Sequence, residues 1–200
     1  MIDVPWRWSL LALLLAAVGC QSAPLGSPSA PSSGGETVAV DWASDADLLP
    51  AVLAQVEDLD LCDGFFQAEV AAAESEIYPM GDRALVQVLC AHAAYQSVYA
   101  YAAVFPDGTL EPLTLDVFYP DGAGDFQRAS EATVGGIVNF DPSYDELTVF
   151  SKARGLGDCG SFAVYRWTGQ ALDLETYRYQ DCTDTPERAP HPATYPLVYP

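Results

Sequence analysis

The stretch of the chain with the most recognisable chemical pattern is GLGDCG, at residues 155–160. It fits G-x-G-x-x-G, in which a glycine-rich turn and a following helix N-terminus hold a dinucleotide pyrophosphate. Here the next residues, SFAVYRW at 161–167, alternate like a strand, whereas the dinucleotide fingerprint must open a helix. We therefore expect no nucleotide and no other cofactor at this loop. The glycines instead offer positive-φ positions between two antiparallel strands.

Two basic residues precede this loop in a chain that has only one lysine. Lys152 and Arg154 are two residues apart, and Asp158 follows them. Because residues two apart in a strand point to the same face, the two cations could bind an anionic ligand. In the alternative, Arg154 pairs with Asp158 through its guanidinium and locks the turn. The loop is thus a ligand site or a structural loop, and we favour the structural interpretation.

The rest of the sequence offers no catalytic constellation, since a serine or cysteine nucleophile needs a positioned histidine. The chain has two histidines: His92 follows small residues beside Cys90, and His191 lies in a proline-rich segment. Cys90 and His92 have a spacing that would suit a metal pair, but we expect Cys90 to be in a disulfide. We therefore predict neither catalytic nor metal-binding residues.

Acidic residues recur in two loop-like segments, from Asp58 to Glu69 and from Asp121 to Asp125. Neither segment fits the EF-hand template, so acidic turns are the expected outcome. No pair of carboxylates stands out as a glycosidase pair against the acidic background. An enzyme using carboxylates or a bound divalent cation remains the alternative function.

Three tyrosines, Tyr95, Tyr99 and Tyr101, occupy near-alternate positions on one predicted strand. Such a stripe could form an exposed platform, but packing in the core or across strands is the favoured interpretation.

The elements that must position these residues begin with helices predicted over 45–59, with Pro50 in the first turn, and within 65–75. Runs rich in β-branched and aromatic residues then alternate with Pro-Asp-Gly and similar turns. The predicted strands lie at 83–90, 95–105, 109–119, 133–140, 146–154, 161–167 and 171–179. Short turns between strands indicate antiparallel pairing. The predicted fold class is a β-rich α+β domain: an antiparallel meander sheet with one or two N-terminal helices.

The N-terminal segment has the features of an export signal. Nine apolar residues at 10–18 follow Arg7, and Cys20 comes after small residues. This pattern resembles a bacterial lipobox, which predicts a signal peptide over 1–19 and a lipid, including acyl chains such as palmitate, on Cys20. Gln21 after the cysteine is typical of an outer-membrane lipoprotein facing the periplasm.

Residues 20–40 are mostly serine, proline, glycine and alanine, a composition that predicts a disordered tether. A single exported domain then covers 41–200. Its proline-rich tail, 186–200, is expected to lie along a sheet edge.

The remaining cysteines, Cys62, Cys90, Cys159 and Cys182, form an even set in an exported chain. Four cysteines allow three pairings, of which we take the sequential one, Cys62–Cys90 and Cys159–Cys182, as the working hypothesis. Each bridge would restrict the unfolded chain by about 3–4 kcal/mol.

The net charge is −20. A field of this sign repels nucleic acid and anionic headgroups and favours cations or a basic envelope protein as partners. We predict no nucleic-acid binding.

Residues 147–182 resemble the C-terminal signature of a bacterial exported family known as domain of unknown function 1176. The shared elements are a K-x-R-G-x-G-D-C-G loop, W-x-G and a later cysteine; they fall on Lys152, Arg154, Gly155, Gly157, Asp158, Cys159, Gly160, Trp167, Gly169 and Cys182. Residues 85–96 are a weaker second match. The resemblance implies an exported protein and no activity.

The hypothesis from the sequence is therefore a membrane-tethered envelope lipoprotein that acts as a non-enzymatic interaction or structural module. The alternative is an envelope hydrolase.

Overall fold

The computed structural model describes residues 45–184 and 190–200. The predicted signal peptide, Cys20 and the tether lie outside the described residues, as do residues 185–189 of the predicted tail. None of the helices within the described ranges has the length and apolar content needed to cross a membrane.

Two short helices precede the strands, as predicted: α1 spans Asp45–Leu53 and α2 spans Ala68–Glu74. The first ends at Leu53 rather than at residue 59, and Pro50 lies inside it rather than in its first turn, so that placement was wrong. Pro50 has no N–H to donate to the residue four places earlier, but its carbonyl still accepts from the Ala54 N–H at 3.0 Å. After Leu53 the chain continues in hydrogen-bonded turns as far as Gly64.

The described strands follow in a mostly consecutive order. They are β1 (Glu76–Met80), β2 (Arg83–His92), β3 (Ser97–Val104), β4 (Leu110–Leu113), β5 (Leu115–Pro120), β6 (Phe126–Glu131), β7 (Thr133–Asp141), β8 (Glu146–Lys152), β9 (Gly160–Trp167), β10 (Leu172–Gln180) and β11 (Leu197–Tyr199). The β-rich α+β class is confirmed.

The main sheet is an antiparallel meander with one interruption. Its order is β1-β2-β3-β7-β8-β9-β10-β11, while β4 pairs with β3 and β5 pairs only with β6. One edge of β3 is shared, since residues 97–100 pair with β7 and residues 101–104 pair with β4. The prediction of one strand over 109–119 is wrong, because the chain changes partner at Thr114 and forms β4 and β5 there.

Strands β2 and β3 are buried on both faces and separate two hydrophobic cores. Even-numbered side chains such as Val86 and Ala102 face a core that includes residues of both helices. Odd-numbered side chains such as Leu85 and Tyr101 face a second core, formed with β7 to β10. Side chains alternate between the faces of a strand, so these two strands must be apolar at nearly every position.

The described part of the tail lies on the sheet as well as at its edge. Leu197–Tyr199 pairs with β10, which places the segment at a sheet edge as expected. Tyr195 is 1% exposed and packs edge-on against Phe150 at 6.2 Å between ring centroids. Burial and the nearby charge of Asp158 raise the pKa of the Tyr195 hydroxyl.

Two disulfides tie these elements together. Cys62 is bonded to Cys90 and Cys159 to Cys182, so the sequential pairing is confirmed. Cys62 and Cys90 are both buried in the core beneath the helices. In the second bridge Cys159 is buried and Cys182 is exposed.

This difference in burial generates a stability prediction. The two bridges have similar sequence separations, 28 and 23 residues, so loop entropy alone gives about 3.5 kcal/mol for each. Replacing Cys62 and Cys90 by alanine also leaves a cavity in the first core, which adds about 1 kcal/mol or more. Urea denaturation should therefore show a larger loss for Cys62→Ala/Cys90→Ala than for Cys159→Ala/Cys182→Ala. Equal losses of unfolding free energy would mean that the greater burial of the Cys62–Cys90 bridge adds nothing to its stabilisation.

Candidate functional site

The loop at residues 152–160 joins β8 to β9 and closes very tightly. Pairing of the two strands extends to Lys152 opposite Gly160, and the Ala153 N–H donates to the Cys159 carbonyl at 3.1 Å. Gly160 has φ +135°, and a Cβ at this position would stand 2.0 Å from the Ser151 carbonyl oxygen. No residue with a side chain fits there. The tight strand exit therefore accounts for this glycine without a ligand.

Arg154 and Asp158 form the paired fork of the structural interpretation. Arg154 Nε donates to Asp158 Oδ1 at 2.8 Å, and its Nη2 donates to Asp158 Oδ2 and, at 2.8 Å, to the Thr183 carbonyl. Asp158 is only 7% exposed. The hydrogen bonds from Arg154 hold the pKa of the Asp158 carboxyl below its ordinary value. This fork joins the loop to the segment after β10, which the Cys159–Cys182 bridge also reaches.

The segment between β2 and β3 packs against the same loop. The Lys152 N–H donates to Gln96 Oε1 at 2.9 Å, and the Tyr95 hydroxyl donates to the Ala153 carbonyl at 3.3 Å. The Lys152 ammonium lies 5.9 Å from the centre of the Tyr95 ring, a distance at which a cation–π attraction operates. The structure thus brings together residues from the two separate stretches on which the resemblance was based.

The dinucleotide pattern at 155–160 leads into a strand, as the sequence predicted, because Gly160 begins β9. No helix N-terminus follows the loop, and Cys159 within the pattern is bridged. The loop therefore lacks the element that holds a pyrophosphate.

The other candidate residues are separate from the 152–160 loop. His92 is exposed and lies 3.2 Å from Glu74 and 3.0 Å from Ser97. His191 accepts from the Ala193 N–H at 3.3 Å and caps a short 3₁₀ turn. In the acidic turn after β5, Asp121 accepts the N–H groups of residues 123 and 125. Across residues 45–184 and 190–200, no three His, Cys, Asp or Glu side chains are grouped to hold a metal ion.

The three tyrosines do not form a single stripe. Tyr95 lies in the turn before β3 and is 45% exposed, Tyr99 is half-buried, and Tyr101 is fully buried. The Tyr101 hydroxyl donates to Gln87 Oε1 at 3.1 Å. Placing Tyr95 on the strand was wrong, since β3 begins at Ser97, while core packing is correct for Tyr101.

A pocket that sequence reasoning missed lies between β1 and β7, and we call it the β1–β7 pocket. Its volume is about 560 Å³, and its lining residues are Ala73, Glu74, Glu76, Tyr78, Gln87, Tyr99, Val138, Asn139 and Phe140. They come from five separate elements or turns, so no local motif reveals them. The one available signal is Gln87, the polar residue inside the apolar run ALVQVLC.

The close approach at Gly160 generates a testable prediction. Gly160→Ala should lower the free energy of unfolding by at least about 3 kcal/mol, since strain at positive φ adds to a clash with backbone. The matched control is Gly122→Ala, with φ +79° and nothing within 4 Å; strain alone costs about 1–2 kcal/mol there. Urea denaturation of both variants measures the difference, and equal losses would contradict the clash.

The Arg154–Asp158 fork predicts a dependence of stability on pH. A carboxyl whose folded-state pKa is depressed stabilises the fold above its unfolded value, near about 3.9, and this stabilisation is lost as the pH falls through the folded-state pKa. Asp158→Asn should therefore be less stable than the wild type at pH 7, and the difference should shrink below about pH 4. The exposed Asp173→Asn variant is the control. A difference that stays constant from pH 7 to pH 2.5 would exclude the fork as its source.

Comparison with known proteins supports the resemblance found in the sequence. The family described as "Protein of unknown function (DUF1176)" matches residues 34–197, which include both helices, all the strands described above except the end of β11, and the 152–160 loop. Neither the curated proteins nor the solved structures compared with the chain gave a match. Because the match covers most of the sequence, the chain belongs to the DUF1176 family of proteins of unknown function.

Proposed function

We propose that this protein is a non-enzymatic interaction or structural module of the bacterial envelope, tethered to the outer membrane by a lipid on Cys20. The observation that carries the proposal is the use of every reactive group in the 152–160 loop for a structural contact. Cys159 is in a disulfide, Arg154 and Asp158 are paired, and Lys152 lies over Tyr95. The most distinctive loop of the chain thus stabilises the fold.

Support for the compartment comes from the covalent structure. Disulfides persist in oxidising compartments such as the periplasm and are rare in the cytosol. Both bridges join elements of the folded domain. Together with the lipobox-like sequence ending at Cys20, they favour an exported domain held at the membrane on its periplasmic side.

The carboxyl groups argue for a structural role over the hydrolase alternative. A general acid at neutral pH needs a raised pKa. Within the described ranges, each carboxyl with a shifted pKa has it lowered by a hydrogen-bond partner: Asp107, Asp116, Asp158 and Glu175. These groups are held ionised, as structural ion pairs and turns require.

The partner class follows from charge. With a net charge of −20, the protein attracts basic surfaces or cations, and the attraction weakens with salt. A basic envelope protein is therefore the proposed partner, while nucleic acid is disfavoured.

The test of this proposal is mass spectrometry of the protein from the membrane fraction of a Gram-negative host. We expect Cys20 as the first residue, carrying diacylglyceryl and N-acyl groups, and we expect Cys20→Ala to abolish both the modification and the membrane association. Ser22→Ala is the control and should keep both. An unmodified Cys20 in the soluble fraction would overturn the tether. Release of soluble fragments from purified cell-wall sacculi by the purified protein would overturn the non-enzymatic role.

A further inference from the structure

The β1–β7 pocket contains a buried hydrogen-bonding group that the fold leaves unused. Gln87 is 6% exposed, and its Oε1 accepts from the Tyr101 hydroxyl. Its Nε2 makes no hydrogen bond to any described residue, yet this atom is not sealed from solvent, because Gln87 lines the pocket. Solvent reaches the Nε2 atom through the pocket, so its N–H groups are open to a partner on that side. The pocket therefore presents a donor that an oxygen acceptor from outside would satisfy.

The rim of the same pocket carries negative charge and aromatic rings. Glu74 and Glu76 are exposed, and the lining includes no basic residue. Tyr78 donates to Glu76 Oε2, which leaves the other carboxylate oxygen available. His92 contacts Glu74 from outside the lining. Carboxylates beside tyrosine rings attract a cation by charge and by cation–π interaction together.

The fold explains why this pocket exists. Glu76, Gln87 and Tyr101 lie directly opposite one another across β1, β2 and β3, so their side chains share one face of the sheet. The facing wall is residues 138–140 of β7, and Phe140 contacts the Tyr78 ring at 4.7 Å between centroids. Because β7 pairs with β3 only over residues 133–136, its remainder diverges and opens the recess.

We propose that the β1–β7 pocket binds a lysine-bearing peptide segment of a basic partner. The lysine ammonium, with three donors, meets the carboxylates of Glu74 and Glu76 at the rim. A carbonyl oxygen of the peptide accepts from the buried Gln87 amide. The recess has a volume of about 560 Å³ and is open on one side, so a segment of a longer chain can enter it. This inference rests on the proposed function, since it names the part of the basic partner that is recognised.

The experiment is an NMR titration of the isotope-labelled full-length protein with the peptide N-acetyl-Gly-Lys-Gly-amide, in which the lysine ammonium is the only charge. We expect shifts confined to the amides of β1, β2 and residues 138–140. We expect Glu76→Gln to weaken binding about threefold to fivefold, the effect of losing one exposed ion pair. The matched control is Glu111→Gln, which makes the same change on an exposed residue of β4 and should alter affinity less than about twofold.

Two further variants and three further probes test the chemistry. Gln87→Leu removes the buried amide without changing charge and should weaken binding; if it fails to fold, Gln87→Met, which keeps the length of the side chain, should weaken binding in the same way. The peptide with acetylated lysine should not bind. Butylamine, which has the same single ammonium charge but no oxygen acceptor, and glucosamine, a sugar, should bind more weakly than the lysine peptide.

Shifts spread over the whole surface, with equal weakening by Glu76→Gln and Glu111→Gln, would reduce the effect to diffuse attraction and overturn the site. Preference for glucosamine or butylamine would overturn the peptide as ligand. Neither result would affect acylation of Cys20, and loss of acylation would leave the titration unchanged. The proposed peptide site and the proposed lipid anchor can thus be disproved independently of each other.

Discussion

The whole domain depends on the burial of the β2–β3 pair on both faces. On one face, small residues such as Ala84, Ala100 and Ala102 let the two short helices approach the sheet closely. On the other, larger residues such as Leu85 and Tyr101 fill the core made with β7 to β10. The Cys62–Cys90 bridge fixes the turns after α1 to the helix-facing side of β2. Gln87 interrupts this apolar wall. It is the residue of the β1–β7 pocket that stands out in the sequence alone.

Much of this arrangement could be predicted from sequence, because hydrophobic alternation and short turns are local patterns. Both helices and the antiparallel meander were accessible in this way, whereas the sequential disulfide pairing was one of three possibilities until the structure confirmed it. Strands β1 and β6 were missed, since EIYPM contains Pro79 and FQRASE is mostly polar. The β1–β7 pocket was missed for a different reason. Its walls come from residues about 60 positions apart, and only the divergence of β7 from β3 brings them together.

The chain has only eight lysine and arginine residues, and those in the described segments contact other parts of the protein. In the described segments, each basic side chain has a partner: Arg83 the Gly169 carbonyl, Arg128 Asp116, Lys152 Tyr95, Arg154 Asp158, Arg166 Glu175 and Arg178 the Tyr195 carbonyl. Most of the acidic residues in these segments are therefore left without a cation from the described part of the protein. The partly buried fork of Arg154 on Asp158 is a strong charge-assisted contact, whereas exposed pairs contribute little stability. The acidic side chains without a basic partner are therefore available to attract cations or basic surfaces around the protein.

At the shared edge of β3 the chain leaves the meander, forms β4 to β6, and returns with β7. The β5–β6 hairpin packs against β10 through Phe118 and Phe126. Its tip, at residues 121–125, is exposed. Lengthening such a tip costs only the slow logarithmic rise of loop-closure entropy. Residues added at this tip would leave the pairing of the main sheet unchanged. An engineer would choose it as the insertion point for a new binding loop.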